Sequence, residues 1–169
     1  MALTAAQLIV LKADILADPI LAVIPNTDDG AFEIATAYNL NAVPDFWVWR
    51  SAVTEREFVE QSSQDGTSFS WPQYIARTEP ERDGWKRLFA TGTANPSLPN
   101  VRQAVADIFS GAQAAPVAQR AHLIAVARRK TRRAEKLFST GAGTTAAPAT
   151  MGYEGTLSYQ DVRQSRNLP

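Results

Sequence analysis

Apolar residues recur at helical spacing from the start of the chain. Leu8, Leu11, Ile15 and Leu16 follow Thr4 and stop short of Pro19, which disfavours helix in the residue before it. This predicts a first helix of about three turns. A second should follow Asp28, with Phe32, Ile34, Ala35 and Tyr38 on its apolar side, and break between Asn39 and Pro44. The aromatic run Phe46-Trp47-Val48-Trp49-Arg50 fits a short strand or a helix entry, and the reading adopted is a turn leading into a helix from Thr54 to Gln61.

Helix-start chemistry repeats along the sequence. Ser or Thr three residues before Glu or Gln lets two side chains satisfy the free N–H groups of a first turn, and this spacing occurs at Thr4/Gln7, Thr54/Glu57, Ser70/Gln73 and Thr78/Glu81. Pro72, Pro80 and Pro99 stand where a first helical turn tolerates proline. Short helices are therefore expected from Trp71 and from Glu79, and Val101, Ala104, Val105, Ile108 and Phe109 form the clearest amphipathic stripe. Pro116 should open the longest helix, running to about Phe138.

Beyond Ser139 the periodicity is lost. Residues 140–150, rich in Gly, Ala and Thr, read as a flexible linker. Hydrophobic residues return in Met151, Tyr153, Leu157, Tyr159 and Val162, so residues 151–169 read as an extended arm or added strand that docks on another surface, the alternative being a disordered terminus. The expected fold class is all-α: a small helical bundle over 1–139 with a long C-terminal helix, a linker over 140–150 and an extended C-terminal arm over 151–169.

Composition adjusts this picture only at a few points. With 169 residues, 45% of them hydrophobic, the chain can bury one core of modest size. It has no cysteine, which excludes disulfides and thiolate metal sites, and no apolar run approaches the roughly 20 residues of a membrane span. A soluble protein without a signal peptide is expected. Net charge is zero, yet residues 1–100 hold 7 Lys+Arg against 13 Asp+Glu while residues 101–169 hold 10 against 4. Such asymmetry suggests an electrostatically polarised partner contact, with another copy or with DNA.

Catalytic chemistry has no visible seat. His122 is the only histidine and lies on an Ala-rich helix, where a structural role is expected. Asp28 and Asp29 suit a helix N-terminus, and Glu55, Glu57 and Glu60 suit an exposed helix. The glycines at 141 and 143 lack the Lys-Ser or Lys-Thr of a phosphate loop. No catalytic residue, cofactor or metal is expected. One constellation stands out: Arg128, Arg129, Lys130, Arg132, Arg133 and Lys136, six cations in nine residues. On a continuous helix they would make a broad positive face, suited to an acidic protein surface, to DNA phosphates in a channel, or to solvent.

Several segments carry a resemblance. Phe46-Trp47-Val48-Trp49-Arg50, Asn100-Val101-Arg102-Gln103, the stretch from Arg133 to Phe138 with Thr140-Gly141, and the tail from Glu154 to Val162 together resemble proteins of the structural modules of tailed bacteriophages. The resemblance implies a head-completion or head-to-tail adaptor in the virion neck. Such a subunit would form a homo-oligomeric ring beneath the portal, meet tail or neck proteins, surround packaged DNA and assemble in the host cytoplasm. A DNA-binding accessory protein and a capsid-associated or tail-terminator protein are the alternatives.

Overall fold

The structure is a computed structural model that describes residues 2–168; Met1 and Pro169, the ends of the expected body and arm, lie outside the described residues. Among the described residues about 49% are helical and the remainder includes several two- and three-residue strands, so the fold is helix-rich rather than purely α. The chain forms two compact units, one built from both ends of the sequence, up to Val48 and from Lys130 onward, and one from Trp49–Arg129. This division departs from the expected body, linker and arm, because the C-terminal segment belongs to the same unit as the N-terminal helices.

In the first unit, α1 (Ala5–Ala17) starts at the Thr4/Gln7 box, with the Thr4 N–H donating to Gln7 at 2.9 Å. Helix α2 (Asp28–Asn39) is capped by Thr27, whose Oγ1 accepts the Gly30 N–H at 3.2 Å. Gly30 is required there, since a Cβ would fall 2.2 Å from the carbonyl oxygen of Pro25. Leu8, Leu11, Ile15, Ala31, Ile34, Ala35 and Tyr38 from these helices form the core with Ala134, Tyr153, Leu157 and Val162 from the C-terminal part. Phe32, expected on the buried side of α2, points outward and is 66% exposed.

The C-terminal segment is neither an extended arm nor preceded by a free linker. Ser139–Thr140 (β5) pairs antiparallel with Thr150–Met151 (β6), Ser139 opposite Met151, and residues 141–149 form the loop between them. Gly143 sits at φ +67° with its backbone against the ring of Phe46, where a Cβ would lie 2.1 Å from a ring carbon, and its carbonyl accepts the Trp47 N–H at 2.8 Å. Its glycine serves close packing, not flexibility. Helix α9 (Tyr159–Arg166) then starts at a Ser158/Asp161 box and packs on α1 and α2. Lys12 Nζ donates to the Leu168 carbonyl at 2.5 Å, Asn39 pairs with the backbone of Leu157, and Arg163 meets Asp28 at 2.6 Å.

The second unit has its own core. Short strand β2 (Val53–Thr54) pairs antiparallel with β3 (Thr93–Ala94), and helices α3 (Glu55–Glu60), α4 (Trp71–Ile75), α5 (Glu79–Leu88), α6 (Pro99–Ile108) and α7 (Ala114–Val126) surround it. Phe58, Phe69, Trp85, Phe89 and Phe109 meet edge-on or tilted in its centre, a geometry that suits ring quadrupoles. The boxes at Thr54/Glu57 and Thr78/Glu81 form, whereas Ser70 makes no side-chain cap and α6 follows Leu98, which has no capping side chain. The expected helix over 116–138 is instead α7, then strand β4 (Arg128–Lys130), then α8 (Arg133–Leu137). Stacking like charges at i and i+4 would destabilise a continuous helix here. The chain crosses between units within β4 and within strand β1 (Trp47–Trp49).

Candidate functional site

Because the helix breaks, the six cations form no single helical face: Arg128 and Arg129 belong to the second unit and Lys130, Arg132, Arg133 and Lys136 to the first. Arg128 pairs with Asp65 at 2.6 Å in the second unit. In the first unit Lys130 pairs with Asp45 at 2.6 Å and lies over the Trp47 ring, 5.8 Å from its centroid. Arg132 begins α8, giving its backbone N–H to the fully buried Glu135 carboxylate at 3.0 Å, and Glu135 also accepts the Gly155 N–H at 3.3 Å. Lys136 stands 5.6 Å from the Phe46 ring centroid.

Arg133 meets three side chains. Its guanidinium lies 4.5 Å over the ring of Tyr38 and meets Asp14 at 3.2 Å and Asp18 at 2.9 Å. The Tyr38 side chain is fully buried and its hydroxyl donates to Asp14. Burial and then the Asp14 carboxylate push the phenol well above its ordinary range, so it remains a neutral donor. Asp18 is held below the usual carboxylate range by the N–H groups of Leu21 and Ile20 and then by Arg133. This cluster is a framework for α1, α2 and α8.

The docking residues expected at the C-terminus are likewise used internally. Tyr153, Leu157 and Val162 are buried in their own unit, Met151 is half-buried in β6, and Tyr159 alone is exposed at the start of α9. Tyr153, Leu157 and Val162 cannot grip a neighbour while they occupy this core.

His122 is buried with both nitrogens engaged. Nε2 lies 2.8 Å from the Phe58 carbonyl, which only accepts, so the proton sits on Nε2 and Nδ1 accepts from Thr67 Oγ1 at 3.2 Å. Ser63 Oγ lies 2.6 Å from Thr67 Oγ1 and accepts the Asp65 and Thr67 N–H groups, fixing the loop after α3. The structural role expected of His122 fits this placement. Among the described residues no group of three or more His, Asp or Glu side chains is arranged to hold a metal ion.

The feature that sequence reading missed is the outer side of α1. Its exposed positions are Ala5, Ala6, Ile9, Val10, Ala13, Leu16 and Ala17, without one polar residue among them, while Gln7, Lys12 and Asp14 are half-buried at its margins. Ile9 and Leu16, seven residues apart and so on one side, are 62% and 61% exposed. The turn beyond adds exposed Ile20 and Val23. A helix apolar on both sides is ordinarily covered on both. The signal was present: only three of the thirteen residues of α1 are polar. Leu16, read as a core position, belongs to the outer side.

Charge is also redistributed by folding. The first unit carries 7 Lys+Arg and 9 Asp+Glu and the second 10 and 8, so the imbalance between sequence halves largely disappears within each unit. In the first unit Arg133 meets Asp14 and Asp18, and Arg163 meets Asp28. No protein family, curated protein or solved structure matches this chain.

Proposed function

We propose that the chain is a structural subunit of a tailed-phage particle, a head-completion or head-to-tail adaptor that forms a ring beneath the portal and joins capsid to tail around the DNA channel. The observation that carries the assembly part of this reading is the wholly apolar outer side of α1, which calls for a covering surface of the same kind. In a ring the contacts run head to tail, so α1 of each subunit would be covered by a different surface of the next copy, and the same pair of surfaces recurs at every junction. The phage assignment rests on the resemblance in the segments around Phe46, Asn100 and Arg133 and in the tail to Val162. Under this reading the portal and the tail or neck proteins are the other partners, the virion neck is the location, and no catalytic step is required.

Joining of subunits passes from the arm to α1, because the C-terminal segment completes the subunit's own core. The test is the composition and phenotype of particles from a phage encoding this chain. Mass spectrometry should find it in several copies per purified particle, and its deletion should leave DNA-filled heads without tails. Absence from purified particles would overturn the proposal.

A further inference from the structure

Within the second unit Arg50, Arg128 and Arg129 converge with Gln61, Ser62 and Gln64 on a cleft of about 220 Å³. Arg50 comes from the chain just past β1, the two neighbouring arginines from β4, and the polar donors from the loop after α3. No carboxylate lines this cleft among the described residues. Glu57 pairs with Arg50 and Asp65 with Arg128, yet neither acid contributes to its wall.

The loop is held in place before any ligand arrives. Ser63, buried at its centre, is tied through Thr67 to His122, and His122 to the carbonyl of Phe58. Arg50 is fixed on the other side by its backbone, whose N–H donates to the Ala127 carbonyl at 2.9 Å. Donors carried on anchored backbone lose little freedom when they bind.

We propose that this cleft binds a phosphodiester group of a nucleic-acid backbone. Guanidinium forks supply the charge, and neutral hydroxyl and amide donors add the contacts through which proteins commonly position phosphates. A tetrahedral phosphate offers acceptors toward the strand, the loop and Arg50 together. A planar carboxylate from an acidic protein is satisfied by one or two forks and leaves the remaining donors unused. The site reads no bases, so binding is independent of sequence. The inference stands apart from the assembly reading, which rests on α1 in the other unit.

The test is fluorescence anisotropy of the full chain with a short labelled duplex across a salt series. Affinity should fall as salt rises, and Arg128→Gln with Arg129→Gln should weaken binding about tenfold or more and flatten the salt dependence. Ser62→Glu places a carboxylate in the cleft from an exposed loop position and should weaken binding while the melting temperature holds. Asp65→Asn, which removes a competing acid from Arg128, should tighten it. Lys86→Gln with Arg87→Gln, on α5 outside the cleft, should stay within about twofold of the wild type. Absence of salt-dependent binding, equal loss in the α5 variant, or displacement of the duplex by polyglutamate as readily as by unlabelled DNA would overturn the proposal.

Discussion

Arg133 lies over Tyr38, 4.5 Å from the ring centroid, and reaches both Asp14 and Asp18 from there. A guanidinium can meet two carboxylates and a ring at once because it is planar and carries five donors; a lysine ammonium cannot. Arg133→Ala should therefore cost about 2–3 kcal/mol of stability, through the lost ion pairs and ring contact, and Arg133→Lys should recover only part of it. Urea denaturation measures both.

The C-terminal segment gives a second expectation. An arm serving only neighbours could be removed without harm to the subunit, whereas Tyr153, Leu157 and Val162 are part of its core. Val162 is fully buried between α9 and the helices it packs on, so Val162→Asp should cost about 3 kcal/mol or more. Truncation before Met151 should abolish cooperative melting of the first unit, which circular dichroism and limited proteolysis would register.

Acid should destabilise the protein through identifiable groups. Asp18 is lowered by backbone N–H groups and then Arg133, and Glu81 by the N–H and hydroxyl of Thr78. Burial pushes Glu57 up, but Arg50 and Thr54 outweigh it and hold the group below its usual value. A carboxyl group with a depressed folded-state pKa contributes stability that is present above its unfolded value, near about 4, and lost as the pH falls through the folded one. Melting temperature should thus drop below about pH 4.5, less steeply in Glu57→Gln.

At the alkaline end the sign reverses for Tyr38. Its raised phenol contributes stability that is complete below the ordinary value of 10.0 and is lost as the pH climbs beyond it. Thermal melts between pH 9 and 11 should show this decline, and Tyr38→Phe should reduce it to the part due to Tyr153, whose phenol is also pushed up by burial.

His122 makes a fifth test. Replacing it with alanine leaves the Phe58 carbonyl and the Thr67 hydroxyl without their partner and opens a void beside the aromatic core, at a cost of about 2–4 kcal/mol. The loop around Ser63 should also exchange its amide protons faster, as hydrogen–deuterium exchange would detect.

Much of the helical framework was legible because it depends on local rules. The box at Thr4, the apolar spacing through Ile15, the start after Thr27 and the stripe from Val101 to Phe109 all act over four residues or fewer, and the helices appear there. What the sequence concealed depends on distant partners. The apolar run of α7 and the basic segment read as one helix, yet Arg128 finds Asp65 and Lys130 finds Asp45 only once the chain has folded. Gly141 and Gly143 read as flexibility because nothing local reveals that Phe46 and Ala149 press against them. Tyr153, Leu157 and Val162 showed that they must be buried, but hydrophobicity does not say against whom. For the candidate site the cation cluster was visible and its dispersal was not, and Arg50 was overlooked as an isolated cation after an aromatic run.

The central claim is that the outer side of α1 is an assembly contact, and the most direct measurement is particle incorporation of an Ile9→Glu, Leu16→Glu double variant. Both side chains are exposed, so the variant should melt within a few degrees of the wild type. The account predicts that it folds and stays out of purified particles, because each copy would bring two charges to a surface that must be covered. Incorporation at the wild-type level would contradict it.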